Sequence, residues 1–294
     1  MSRSQRASLA EETLRILDAR AYVDERGQRH DLSAAIEACL DATRSYSAED
    51  AERLRVEQRR EDARLTDSVV GASTAFEVAN ETTLAGLRRL LDAEDAPVAA
   101  LNFASAKNPG GGFLGGSQAQ EESLARSSAL YASLRRVPEF YERHRASPSL
   151  LYSDAMIHSP ACPVFRDDEG RLLDKPHFAG FITCAAPNAG AIADNRPYET
   201  EAIAATLERR AEGVLALAAA CGYRRLLLGA WGCGVFRNDP NAVADVFATH
   251  LRHGAYAGRF DAVRFSVFDL ASPPHIFEAF VRSFETFDRP RIRW

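Results

Sequence analysis

Residues 101–131, LNFASAKNPGGGFLGGSQAQEESLARSSALY, gather the groups best suited to do chemistry on a bound molecule. An apolar run ends at Asn102. Asn108 and Pro109 then lead into Gly110, Gly111 and Gly112, with Gly115 and Gly116 close behind. Glycines at this density admit backbone conformations closed to other residues and let the main chain approach a ligand. Amides in such a loop, ahead of a helix N-terminus, can seat a phosphate. Ser117 and Gln120 have the spacing of a capping box for that helix. Gln120, Glu121 and Glu122 fall in its first turn, where the helix dipole favours carboxylates whatever their role. Because they adjoin a loop built to receive something, the dipole alone explains these two acids less well than it would an arbitrary pair.

A second loop, GAWGCGVFRNDP (229–240), follows the apolar run RLLL. Gly232, Cys233, Gly234, Val235 and Phe236 form its centre, and Asn238, Asp239 and Pro240 lead into a helix. Read alone, it serves equally well as a tight strand-to-helix turn. No Gly-Lys-Ser/Thr follows either loop, which excludes a Walker A site. Neither is a GxGxxG in a first βαβ unit. Two such loops in one α/β domain point to a ligand with two linked features, such as a diphosphate joined to a sugar.

The elements that must position these loops come from apolar periodicity. Strands are expected at 75–80, 97–103, 178–185, 225–231 and 262–269, and helices at 81–93, 118–136, 199–220, 239–252 and 273–287. Such alternation predicts a central sheet covered on both faces, a three-layer α/β/α fold, with ligands collecting at the carboxyl ends of the strands. Residues 1–66 read as an N-terminal helical extension without strand pattern, and 67–294 as the α/β domain that carries both loops. Within the extension, ERLRVEQRREDAR from Glu52 reads as a solvated helix face or connector.

At 294 residues, 46% hydrophobic and 26% charged, the composition is that of a globular protein. A formal net charge of -5 argues against a broad electrostatic grip on nucleic acid, so an anionic ligand must be held locally. The opening residues have no apolar core of a secretory signal, and no run is long enough to span a membrane, which predicts a cytoplasmic location. Five cysteines without paired spacing read as reduced thiols, and the seven histidines offer no metal-ligand pair. No metal or cofactor is expected.

Three glycines (110–112), seven residues, then Gln120-Glu121-Glu122 form a specific pattern that resembles the signature of bacterial poly(ADP-ribose) glycohydrolases. NFASAKNPGGGF, APNAGA (186–191) and GAWGCGVFRNDP are also similar to that family, and the resemblance covers most of the chain. It implies a macrodomain with a mixed central sheet and accessory helices before its first strand. It further implies cleavage of the ribose–ribose O-glycosidic bond of ADP-ribose polymers, free or attached to modified proteins, as part of reversing ADP-ribosylation in the DNA damage response. A monomer without direct nucleic-acid contact is expected.

By the same resemblance, Glu122 is the general acid and base and Glu121 orients the ribose hydroxyls. Gln120 supports the loop and helix start, and the diphosphate lies on amides from Gly232 to Phe236, with Phe236 walling the distal ribose. Asn102 and Asn108 are candidates for ribose contacts. Asn188 is a weaker one. Glu77, Val78, Thr82 and Asp269 are position-based candidates for adenine. Successive helix residues do not face each other across a substrate, so Glu121 and Glu122 cannot be the opposed carboxylates of an ordinary glycosidase. Two other readings compete: a non-enzymatic ADP-ribose reader, which needs no acids beside the sugar, and a hydrolase of another ADP-ribose linkage.

Overall fold

A computed structural model describes residues 1–65, 73–94 and 96–284. The N-terminal part runs α1 (Arg3–Ala19), β1 (Ala21–Val23), β2 (Arg29–Asp31), α2 (Ser33–Ala42), β3 (Arg44–Tyr46) and α3 (Ala48–Leu65). It continues through β4 (Ala75–Ala79), α4 (Thr83–Ala93), β5 (Val98–Phe103), α5 (Gln120–Ser127), α6 (Leu130–Leu134), α7 (Pro138–Ala146), β6 (Met156–Arg166) and β7 (Leu172–Cys184). Then come α8 (Ala189–Asn195), α9 (Ile203–Ala220), β8 (Arg225–Leu228), α10 (Pro240–Ala248), β9 (Ala262–Ser266) and α11 (His275–Phe284).

Seven strands form the mixed sheet expected from the sequence, in the order β3-β6-β7-β5-β8-β9-β4. From β7 to β4 every neighbour is parallel, and β3, β6 and β7 are antiparallel. Helices cover both faces, each over its own apolar cluster. On one face α9 is enclosed nearly all round, with Ala211, Val214, Leu215 and Leu217 at or near zero exposure. Each such Leu or Val contributes about 1.5–3 kcal/mol by leaving water.

Three departures from the sequence reading bear on the site. Residues 1–65 are not purely helical: β1 and β2 form a hairpin, and β3 extends the central sheet through antiparallel pairing with β6. The expected domain boundary at 66/67 lies outside the described residues, as does the end of the last helix beyond 284. Helix α3 is not simply a solvated face, because Arg55 and Gln58 are buried and Arg59 pairs with Glu212 of α9. The single helix expected over 118–136 is broken at Ser128, whose extended backbone bridges to Val164 of β6.

The parallel strands decide where a ligand can sit. The loops after β4, β5, β7, β8 and β9 all leave the same edge of the sheet, and each contributes to one cavity.

Candidate active site

That cavity has a volume of about 670 Å³. Glu81 and Thr82 line it after β4, Ser105, Asn108, Gly111, Gly112 and Gln118 to Glu122 after β5, Ala186 after β7, Ala230 to Phe236 after β8, and Phe268 after β9. Both glycine-rich loops therefore face one space. Trp231 is buried within this lining, its indole nitrogen donating to the Cys184 carbonyl at 2.9 Å.

The first loop is wound around two carboxylates. Gly110 and Gly111 have φ of +69° and +59°, a conformation that favours glycine. A Cβ on Gly111 would lie 2.4 Å from Glu122 Oε1, so the missing side chain is what lets Glu122 approach. The Gly112 amide donates to Glu122 Oε1 at 3.0 Å. Other amides of the loop close turns: Gly111 donates to Asn108, and Gly115 and Ser117 both donate to Gly112. The phosphate seat expected of this loop from composition is thus largely taken up by its own carbonyls and by Glu122.

The capping box is also absent. Ala119 is the N-cap of α5 and makes no side-chain cap. Gln120 spends its amide elsewhere: Oε1 accepts from the Phe103 amide at 2.9 Å, while Nε2 donates to the Leu101 carbonyl at 2.7 Å and to Thr83 Oγ1 at 3.2 Å. Gln120 thereby fastens the start of α5 to the end of β5 and the start of α4.

Glu121 and Glu122 differ in surroundings despite being neighbours. Glu121 is 2% exposed; Oε2 accepts from the Ser105 amide at 2.6 Å, and Oε1 from Asn102 Nδ2 at 3.3 Å. Burial pushes its carboxyl up to about 8, against the pull of those hydrogen bonds and with a smaller push from Glu122. Glu122 is only half-buried, and beyond the Gly112 contact its carboxylate has no hydrogen-bond partner among the described residues.

The second loop is arranged in the opposite sense. Its turn uses the amides of Cys233, Arg237 and Asn238, bonded to Ala230, Gly234 and Gly232. The amides of Gly234, Val235 and Phe236 donate to nothing among the described residues, and Gly234 and Val235 are exposed. Gly232 has φ +74°, and a Cβ there would strike Asn238 Nδ2 at 2.4 Å and Ala186 at 2.6 Å. Asn238 ties the loop to Pro187 by a 2.8 Å hydrogen bond, and the Gly190 amide donates to the Phe236 carbonyl at 2.8 Å. The result is three amides without acceptors among the described residues, on a braced turn that lines the cavity, an arrangement able to receive an anion.

Of the remaining sequence candidates, Asn108 and Thr82 line the cavity. Asn102 and Gly110 do not; both are buried, and Asn102 reaches the site only through Glu121 and Thr183. Asn188 is outside the lining and caps α8 by accepting from Ala191 at 3.0 Å. Glu77 pairs with Arg264, Val78 lies within β4, and Asp269 accepts from the amides of Ala271 and Ile276. None of these last three lines the cavity. Sequence reasoning passed over Ser105, Glu81, Asp168 and Phe268, which do. Glu81 is engaged by Arg264 Nε at 2.6 Å and Ser266 Oγ at 2.9 Å; Asp168 accepts from Thr82 Oγ1 at 2.5 Å. Glu81, two residues past a strand end, carried the one sequence signal that could have found it. Among the described residues, no three His, Cys, Asp or Glu side chains are grouped to hold a metal ion.

The family model "Microbial-type PARG, catalytic domain" matches residues 10–167, more than half of the chain. The chain belongs to the microbial-type PARG family. The poly(ADP-ribose) glycohydrolase of Thermomonospora curvata, solved with the inhibitor ADP-HPD, is 47% identical at a TM-score of 0.87, covering 96% of this chain and 100% of that one. The poly(ADP-ribose) glycohydrolase of Deinococcus radiodurans, solved with ADP-ribose, is 45% identical at a TM-score of 0.77, covering 84% of this chain and 96% of that one. No curated protein matches the sequence significantly. These microbial PARG relatives share the mixed α/β architecture, and the fold expected from the sequence stands. Among the described residues, no helix of this microbial PARG is long and apolar enough to cross a membrane.

Proposed function

We propose that this chain, a glycoside hydrolase acting on poly(ADP-ribose), cuts the ribose–ribose bond with Glu122 as its one general acid and base. The observation that carries this reading is the asymmetry of the two carboxyls. Both line the cavity, but Glu121 is buried with both oxygens engaged. Glu122 is half-buried, with one oxygen steadied by Gly112 and the other without a partner among the described residues.

In the first step the Glu122 acid gives its proton to the glycosidic oxygen as the C1″–O bond breaks. The bonding pair leaves with that oxygen, and the ribose becomes oxocarbenium-like. The Glu122 carboxylate then takes a proton from the water that attacks C1″, which restores the acid. The diphosphate lies on the free amides of Gly234, Val235 and Phe236, and its negative charge serves where a second carboxylate serves in other glycosidases. Glu121, protonated over much of the neutral range, orients the ribose hydroxyls. The enzyme works as a cytoplasmic monomer on polymer, free or attached to modified proteins, and reverses ADP-ribosylation in the response to DNA damage. The net charge of -5 supports the absence of direct nucleic-acid binding.

Replacing Glu122 with Gln tests the reading. Release of ADP-ribose from purified polymer should fall by about 10²–10⁴-fold or more, while calorimetry still detects ADP-ribose binding. Turnover at the wild-type rate would remove Glu122 from the mechanism.

A further inference from the structure

Arg126 is a buried cation whose purpose neither the fold nor the acid–base assignment explains. It lies on α5, four residues after Glu122, and is 3% exposed. Among the described residues its guanidinium donates only to neutral oxygens: the Ser117 carbonyl at 2.7 Å, Gln118 Oε1 at 2.5 Å and Ser123 Oγ at 3.4 Å. No carboxylate lies within ion-pairing distance of it among the described residues, whereas buried Arg210 pairs with Asp154 and buried Arg264 with Glu77 and Glu81. Taking a guanidinium out of water without a counter-ion is costly, so its retention calls for a compensating role. Residues four apart on a helix share a face, which makes Glu122 its nearest source of negative charge along α5.

We propose that Arg126 is a positioning residue for the glycosidic reaction. Through Ser117 and Gln118 it fixes the far end of the turn whose near end, Gly112, holds Glu122. Its positive charge stabilises the carboxylate that Glu122 becomes once the proton has passed to the leaving oxygen. Burial lowers the Arg126 guanidinium to about 10, as expected for a cation lacking a contact partner, while Glu122 opposes that fall and Arg6 adds to it. The N-terminal helix completes the mount. Arg3 Nε donates to the Gly115 carbonyl at 2.9 Å and Arg6 Nε to Gly116 at 2.8 Å, and Thr13 Oγ1 donates to the Arg126 carbonyl at 2.5 Å. A Cβ on Gly116 would meet the Arg3 carbonyl at 2.1 Å, so α1 and the loop fit only with glycine there.

Other charged groups face this spot. Glu121 adjoins Glu122 on α5, and Arg6 comes from α1. Arg166, Asp167 and Asp168 share a small crevice with Arg126. Arg166 has Glu12 at 3.0 Å, Asp167 accepts from Arg171 Nε at 2.9 Å, and Asp168 is bonded to Thr82, so each already has a partner.

The inference rests on Glu122 as the acid, and its test is steady-state kcat and KM on purified polymer for wild type, Arg126→Met, Arg126→Lys and Glu122→Gln. In Arg126→Met, kcat should fall about 10–100-fold with KM little changed. Arg126→Lys keeps the charge but cannot span both oxygens; it should recover part of that loss. Met and Lys variants falling alike would overturn the charge role, and a Met variant with wild-type kcat would overturn the whole inference. An active Glu122→Gln control marks failure of the underlying acid assignment instead. Calorimetric ADP-ribose binding by each variant confirms that it has folded.

Discussion

The two glycine-rich loops share composition and location, yet their backbones serve opposite ends. In the loop after β5 the amides turn inward, closing tight turns and steadying Glu122 through Gly112. In the loop after β8, three successive amides from Gly234 to Phe236 are left without partners among the described residues. Glycine therefore does two different jobs. At Gly111 it removes a side chain so that a carboxylate can come close; at Gly232 it permits a left-handed turn packed against Asn238 and Ala186. Under the proposed function, one loop places the acid and the other receives the diphosphate.

Exchanging glycine for alanine in each loop separates the two jobs most strongly. In Gly111→Ala, the new methyl group must displace Glu122, and kcat should fall on the order of 100-fold while ADP-ribose affinity changes little. In Gly232→Ala, the methyl group strikes Asn238 and Ala186, and ADP-ribose affinity by calorimetry should fall about tenfold. Equal effects of both variants on kcat and affinity would erase the distinction between the loops.

A smaller effect sharpens the contrast within the acid-bearing loop. The Glu121 carboxyl is raised from its ordinary value to about 8, so the folded protein holds a proton that the unfolded chain has lost. Its contribution to stability is fully present at acid pH and is lost as pH rises through about 8. Glu121→Gln does not titrate, so its Tm relative to wild type should rise by roughly 5 °C between about pH 5 and pH 9. A Tm difference that stays flat over that range would mean that Glu121 is not held protonated by burial.

Residue type made much of the site legible. The glycine triplet, Gln120-Glu121-Glu122 and the 229–240 loop are local features, and the apolar runs revealed five of the seven strands in the main sheet. β3, like β1 and β2, has three residues, too short to show a period. β6 escaped notice because Pro160 and Pro163 interrupt it; a register shift between Ser159 and Cys162 absorbs the first, with Ala161 at φ +42°. Partners distant in sequence were not legible at all. Asn102 looks like a strand end open to ligand, but β7 and α5 close over it, and it serves Glu121 instead. Arg126 reads as an ordinary helix cation until Ser117 and Gln118 fold back onto it.

A crystal structure of the Glu122→Gln variant with ADP-ribose bound tests the division of labour between the loops most directly. The account predicts diphosphate oxygens within hydrogen-bond distance of the Gly234, Val235 and Phe236 amides, and the distal ribose C1″ beside the residue-122 side chain. A diphosphate seated on the amides of Gly110 to Gly112, or a ribose turned away from position 122, would contradict it.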